Sequence, residues 1–304
     1  MRAYCDMKKK EIPFRGLCTA LVTPFCPDGS VDEEAFRRLI VRQIDGGADA
    51  ILVLGTTGES ATLTDEERRM LVAEAVRQAD GRVPVIAGTG SNDTARTAAF
   101  SKFASEAGCA GVLVVAPYYN RPTPDGLIRH FNEAADAAGC PVILYNIPAR
   151  TGCDLTVPVV RKLAEHPRIA GIKEASGNID RAADLCAAFA GVDFAVYAGN
   201  DGEIVPVCAQ GGMGAVSVVS NLLPRETGEM CRAILSGDLV RANKWQRRLL
   251  PLIRALFAES NPAPVKRAMA MLGLCSDTLR LPLVPVREET ERRLGEALKD
   301  LGML

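Results

Sequence analysis

Short runs of aliphatic and β-branched residues alternate along the chain with longer stretches whose apolar positions recur every three or four residues. The runs occupy residues 17–25, 50–55, 83–88, 112–118, 142–147, 169–174, 194–199 and 215–220. Eight of them start between 21 and 33 residues apart, room for one strand, one helix and two short loops each. The run Val112-Leu-Val-Val-Ala116 has no polar face, as expected of a parallel strand covered on both sides. Between the runs stand helix signals. Ser30-Val-Asp-Glu33 and Thr64-Asp-Glu-Glu67 each fit a capping box, and Phe36, Leu39, Ile40 and Ile44 then fall on one helical face. Gly46, Gly108, Gly139, Gly191 and Gly211 follow helical stretches, where a left-handed cap is needed. Eight β–α units in a row predict an α/β fold, a (β/α)8 TIM barrel; the competing doubly wound open sheet does not require such a steady count.

The strand pattern stops after residue 222. Residues 225–304 read as helical, with breaks at Ser236-Gly237, Asn261-Pro262 and residues 281–285. The expected organisation is therefore an N-terminal extension (1–14), a barrel (15–224) and a C-terminal helical region packed on the barrel (225–304). Residues 1–10 carry charges and no apolar segment of the length a secretory signal needs, so they read as a short frayed extension.

Composition narrows the chemistry. Lys+Arg 36 against Asp+Glu 37 leaves a net charge of −1, which gives no electrostatic case for nucleic acid or an anionic membrane. No apolar run approaches the ~18 residues of a spanning helix. Only 2 His are present, His130 within a helical stretch and His166 before Pro167, so a His-ligated metal aldolase is excluded and no metal is expected. The 10 Cys form no C-x-x-C and no cluster at zinc-ligand spacing, which suggests reduced thiols in a cytoplasmic protein. Ala87-Gly-Thr-Gly90 is not a dinucleotide loop, because the third glycine would fall at Asp93. No cofactor is expected.

In a barrel of this kind the chemistry lies at the C-terminal ends of the strands. Lys173 interrupts the sixth apolar run. An unpaired ammonium is costly to bury, which favours the neutral amine that attacks carbonyls to form a Schiff base. Alternatively, Lys173 is structural and pairs with Glu174 or Glu59. The second run ends in Gly55-Thr-Thr-Gly-Glu-Ser60, either an anion-binding loop of hydroxyls and amides or an ordinary turn. The fourth ends in Pro117-Tyr-Tyr-Asn-Arg-Pro122 and the fifth in Tyr145-Asn-Ile-Pro-Ala-Arg150-Thr-Gly152. With only 5 Tyr in the chain, placing Tyr118, Tyr119 and Tyr145 at adjacent strand ends is a concentration. Phenols can relay protons and Arg150 can clamp a carboxylate, although core or subunit contact is the alternative for each.

Taken with Gly171-Ile-Lys-Glu-Ala-Ser-Gly-Asn178 and Asp277-Thr-Leu-Arg-Leu-Pro282, these motifs closely resemble the dihydrodipicolinate synthase family of pyruvate-dependent Schiff-base lyases, from about Leu17 to the C-terminus. The resemblance implies that Lys173 condenses with pyruvate and that the enamine adds to L-aspartate 4-semialdehyde, in lysine and diaminopimelate biosynthesis. It further implies a proton relay of Thr56, Tyr145 and Tyr119, with Tyr119 donated by a neighbouring subunit. Thr57 would hold the pyruvate carboxylate, Arg150 that of the semialdehyde, and Gly199 and Val216 would line the pocket. A homotetramer built as a dimer of dimers is the implied assembly. Sialic-acid lyases and sugar-acid aldolases are the near alternatives, but they usually lack the second threonine and Arg150. A non-catalytic pyruvate- or amino-acid-binding barrel is the remote one. Lysine-inhibited members hold His and Glu where this chain has Arg68 and Arg96, although Asn92 and Tyr118 match their pattern; Arg96 in place of that Glu would repel a lysine side chain.

Overall fold

A computed structural model gives the conformation of residues 10–304. Eight parallel strands close into a barrel in chain order: β1 (Gly16–Ala20), β2 (Ala50–Val53), β3 (Val85–Gly88), β4 (Gly111–Val115), β5 (Val142–Asn146), β6 (Ile169–Glu174), β7 (Ala195–Ala198) and β8 (Gly214–Ser217). Closure runs through Gly16↔Gly214, Leu17↔Ala215, Cys18↔Val216 and Thr19↔Ser217, which rules out the open sheet. Several strands are shorter than the apolar runs that signalled them. The run beginning at Leu17 leaves the ladder after the Leu21 amide, which donates to the Leu52 carbonyl at 2.9 Å, yet Val22 and Phe25 stay buried beyond it. Hydrophobicity reports burial, and burial continues past the last strand hydrogen bond.

The helices are α1 (Glu33–Asp45), α2 (Asp65–Ala79), α3 (Thr94–Glu106), α4 (Pro124–Ala137), α5 (Pro148–Thr151), α6 (Val157–Leu163), α7 (Ile179–Ala188), α8 (Ile204–Ala209), α9 (Pro224–Leu235), α10 (Leu239–Leu256), α11 (Ala263–Met271) and α12 (Glu288–Asp300). Phe36, Leu39 and Ile40 form the buried face of α1, as their spacing requires. The Thr64–Glu67 capping box is present at α2. At α1 the expectation fails: Asp32, not Ser30, caps the helix by accepting from the Ala35 amide at 2.9 Å. The Phe25–Val31 bridge holds Ser30 inside a tight turn, where its hydroxyl donates to Asp28 instead. Gly108, Gly191 and Gly211 take the left-handed conformation expected after their helices. After α1 that role passes from Gly46 (φ −76°) to Gly47 (φ +77°), and α4 ends in an extended Ala138 without a left-handed Gly139.

The expected frayed extension is corrected at its last residue, while residues 1–9 lie outside the described part. Lys10 is buried, its Nζ donating to the carbonyls of Ala164, His166 and Ile169 around the barrel's lower rim. Burial lowers its pKa to about 8, against an upward pull from Asp193. Phe14 then stacks on Tyr197 with ring centroids 4.2 Å apart, closing the barrel from below. The nine described cysteines are free thiols; Cys5 lies outside the described residues.

Beyond β8 the chain is helical, as the loss of the strand pattern predicts. The C-terminal helices return to the upper face of the barrel. Lys266 on α11 reaches Glu59 in the loop after β2, and Arg280 reaches Glu67 on α2.

Candidate active site

Lys173 occupies β6, in register with Tyr145 on one side and Tyr197 on the other. It is 6% exposed, and its Nζ lies 4.2 Å from the centroid of the Tyr145 ring. Both acids named as alternative partners are engaged elsewhere. Glu174 accepts from Arg181 Nε at 2.9 Å, from Asn146 Nδ2 and from the Ser176 amide. Glu59 accepts from Lys266 Nζ at 2.7 Å. Among the described residues Lys173 therefore makes no ion pair and no hydrogen bond, which removes the structural reading of this lysine. A buried nitrogen with no ion pair among the described residues is what remains.

The two flanking tyrosines are not equivalent. Tyr197 donates its hydroxyl to the Phe14 carbonyl at 2.7 Å, and burial pushes its phenol far above the ordinary range. The Tyr145 hydroxyl has no hydrogen-bond partner among the described residues, although its ring is 5% exposed. Only Tyr145 keeps a phenol free for chemistry. Behind the lysine, Asp201 is buried and accepts from the Val218 and Val219 amides at 3.1 and 2.8 Å. Burial raises its pKa, partly offset by the Ser217 hydroxyl, the two amides and the charge of Lys173.

The loop after β2 stands at the same C-terminal end of the barrel. Leu54 (φ +58°) and Glu59 (φ +51°) bracket it in left-handed conformations that non-glycine residues adopt only when the surroundings impose them. Thr56 is half-buried and Thr57 is 3% exposed. Thr57 Oγ1 accepts from Asn261 Nδ2 at 2.9 Å. Arg150, on the short α5, is exposed and donates from Nη2 to the Asn261 carbonyl at 3.1 Å. Tyr119 adjoins the same helix, its amide donating to the Thr151 carbonyl at 3.3 Å. Its own φ is +75° and its side chain is 90% exposed, so within one chain it points away from Lys173's buried surroundings.

Gly199 and Val216 complete the sequence-predicted set. Val216 is buried in β8, opposite Cys18. Gly199 follows β7, where its amide donates to the Glu174 carbonyl at 2.7 Å. A Cβ there would sit 2.6 Å from Ala175 Cβ and 2.8 Å from that same carbonyl, so the close approach admits only glycine. Gly199 thus fixes the wall beside Lys173.

The profile of the dihydrodipicolinate synthetase family matches residues 13–301. The chain belongs to the dihydrodipicolinate synthase family. A 4-hydroxy-tetrahydrodipicolinate synthase from Salinibacter ruber is 49% identical over 294 residues, 96% of this chain and 97% of that protein. The dihydrodipicolinate synthase of Aquifex aeolicus superposes with a TM-score of 0.93 at 44% identity, covering 95% of this chain and 99% of that one. The chloride-inhibited dihydrodipicolinate synthase of Acinetobacter baumannii, solved in complex with pyruvate, superposes with a TM-score of 0.93 at 40% identity, over 95% and 99% of the two chains. The contacts that the sequence does not mark are those of Asn261, Asp201 and the Lys266–Glu59 pair. Asn261 was visible only as a break between helices. His130 and His166 stay outside the site: His130 bonds Thr94 and His166 bonds Asp136.

Proposed function

We propose that Lys173 is the nucleophile through which this Schiff-base lyase, a 4-hydroxy-tetrahydrodipicolinate synthase of lysine and diaminopimelate biosynthesis, joins pyruvate to L-aspartate 4-semialdehyde. The observation that carries the assignment is a buried lysine at the C-terminal end of a barrel strand that makes no ion pair among the described residues, with Glu174 held by Arg181 and Glu59 by Lys266. Its amine adds to the pyruvate carbonyl and water leaves, forming an iminium. The cationic nitrogen then accepts the electron pair released when the methyl group loses a proton, so the carbanion equivalent needs no further electron sink. The enamine attacks the aldehyde carbon, and the semialdehyde's amino group closes the ring as it displaces Lys173.

Tyr145, whose ring centroid lies 4.2 Å from the lysine nitrogen and whose hydroxyl is uncommitted, is the proton carrier beside the nucleophile. Thr56 and Tyr119 extend that relay toward solvent. The 90% exposure of Tyr119 supports its delivery to the site of a neighbouring subunit, and with it the homotetramer, a dimer of dimers. Thr57 holds the pyruvate carboxylate and Arg150 that of the semialdehyde, with Gly199 and Val216 lining the pocket. The protein works in the cytoplasm; among the described residues no helix is long and apolar enough to cross a membrane.

Borohydride reduction in the presence of pyruvate tests the nucleophile. The expected result is a lactyl adduct on the peptide carrying Lys173, absent in Lys173→Ala, whose turnover falls about 10⁴-fold or more. An adduct on another lysine overturns the assignment. Turnover of pyruvate with aspartate semialdehyde, set against cleavage of N-acetylneuraminate, tests the substrate pair; dominant cleavage would make the chain a sialic-acid lyase.

A further inference from the structure

Asn261 lies between α10 and α11, 204 residues from Thr57 in sequence, and touches both groups assigned to the two carboxylates. Its side-chain amide donates to Thr57 Oγ1 at 2.9 Å, and its carbonyl accepts from Arg150 Nη2 at 3.1 Å. The residue is 6% exposed, and its Oδ1 is buried without a hydrogen-bond partner. The amide thus makes one side-chain hydrogen bond, and Thr57 is the group that its removal releases.

We propose that Asn261 is a positioning residue for pyruvate, setting the direction of the Thr57 hydroxyl so that it donates to the substrate carboxylate. A hydroxyl has one hydrogen and two lone pairs. With a lone pair of Thr57 Oγ1 taken by Asn261, and no acceptor among the described residues taking its hydrogen, that hydrogen is left for an anion. An acceptor in place of the amide nitrogen would draw the hydrogen the other way. The same residue anchors Arg150 through its backbone, a contact that side-chain substitution retains. The inference rests on the role assigned to Thr57 above.

Steady-state kinetics of Asn261→Ala, Asn261→Asp and Thr57→Ala, singly and with Asn261→Ala combined with Thr57→Ala, test it. Folding is checked by circular dichroism and by borohydride trapping at saturating pyruvate, which each variant should pass. Asn261→Ala should raise KM for pyruvate about ten-fold, the usual effect of one lost buried hydrogen bond, with KM for the semialdehyde within about two-fold of the parent. Asn261→Asp, nearly isosteric, should raise pyruvate KM further, because its carboxylate takes the Thr57 hydrogen and repels the substrate. On the Thr57→Ala background, Asn261→Ala should add less than about two-fold, since it acts through the missing hydroxyl. Additive effects, or equal rises in both KM values, would mark general loosening and overturn the proposal while leaving the reading of Thr57 intact. An unchanged pyruvate KM in Thr57→Ala would overturn that reading, and the role of Asn261 with it.

Discussion

Lys266 Nζ lies 2.7 Å from Glu59 Oε1, and both side chains are fully buried. The lysine belongs to α11 and the glutamate to the loop after β2, so this pair ties the C-terminal helices to the loop that carries Thr56 and Thr57. Lys266 also sits 4.2 Å above the Phe25 ring, and Arg280 lies 4.5 Å from the same ring. The pair has a second consequence: with Glu59 committed to Lys266 and Glu174 held by Arg181, neither acid pairs with Lys173.

Breaking that pair should be costly. Burial alone already lowers the Lys266 pKa, opposed by the attraction of Glu59. Lys266→Met leaves Glu59 buried beside a single backbone donor, the Arg280 amide at 3.3 Å. A loss of about 3–5 kcal/mol is expected, with partial recovery when Glu59→Gln is added. Chemical denaturation of the two variants measures it, and a cost below about 1 kcal/mol would show that the pair is not what fixes the loop.

Tyr119→Phe removes one hydroxyl and no packing, because the ring is almost wholly exposed in the single chain. Turnover should fall about 100-fold while the borohydride-trapped pyruvate adduct forms to the same extent as in the parent. Near-normal turnover would exclude Tyr119 from the relay.

Acid should weaken the contact between α2 and the C-terminal region. Glu67 accepts from Arg280 at 2.7 and 2.5 Å, and these hydrogen bonds hold its carboxyl below the ordinary carboxylate range. A depressed carboxyl stabilises the fold above its unfolded pKa of about 4.3 and loses that contribution as pH falls, because the unfolded chain takes up the proton first. Glu67→Gln should therefore lower the thermal midpoint most near neutrality, and the gap to the parent should narrow below about pH 4. A constant gap from neutrality to acid would show that Glu67 contributes through packing alone.

L-Lysine at millimolar concentration should leave the initial rate unchanged. Arg68 stacks on Phe100 at 4.0 Å, and Arg68 and Arg96 share the single carboxylate of Asp65, at 3.5 and 3.4 Å. Two guanidinium groups on one acid leave positive charge at the positions where the family resemblance places His and Glu in lysine-inhibited members, and that charge would repel a lysine side chain. Arg96→Glu reverses that sign and should make the enzyme more sensitive to lysine. Inhibition of the parent at millimolar lysine would contradict the electrostatic argument.

The barrel was legible because its evidence recurs: each strand must be apolar on both faces and each helix on one, so burial writes itself along the chain as unbroken apolar runs alternating with a 3.6-residue repeat. Lys173 was legible for the same reason, as a charge where the pattern demands none. Strand ends were less so, since Val22 and Phe25 remain buried after the ladder has stopped. The cap of α1 was misplaced by two residues because the turn that captures Ser30 depends on the Phe25–Val31 bridge.

What the sequence alone determined was the closed barrel and the composition of its rim: hydroxyls, phenols, two arginines and one out-of-place lysine, in a chain with only two histidines. Which of those groups are free to act was decided only in three dimensions. Tyr145 and Tyr197 are indistinguishable by residue type, yet one hydroxyl is spent on Phe14 and the other is not. Glu59 and Thr57 meet partners 207 and 204 residues away. Hydrogen-bonding capacity is finite and is assigned by proximity, and proximity between such distant residues exists only once the chain has closed on itself.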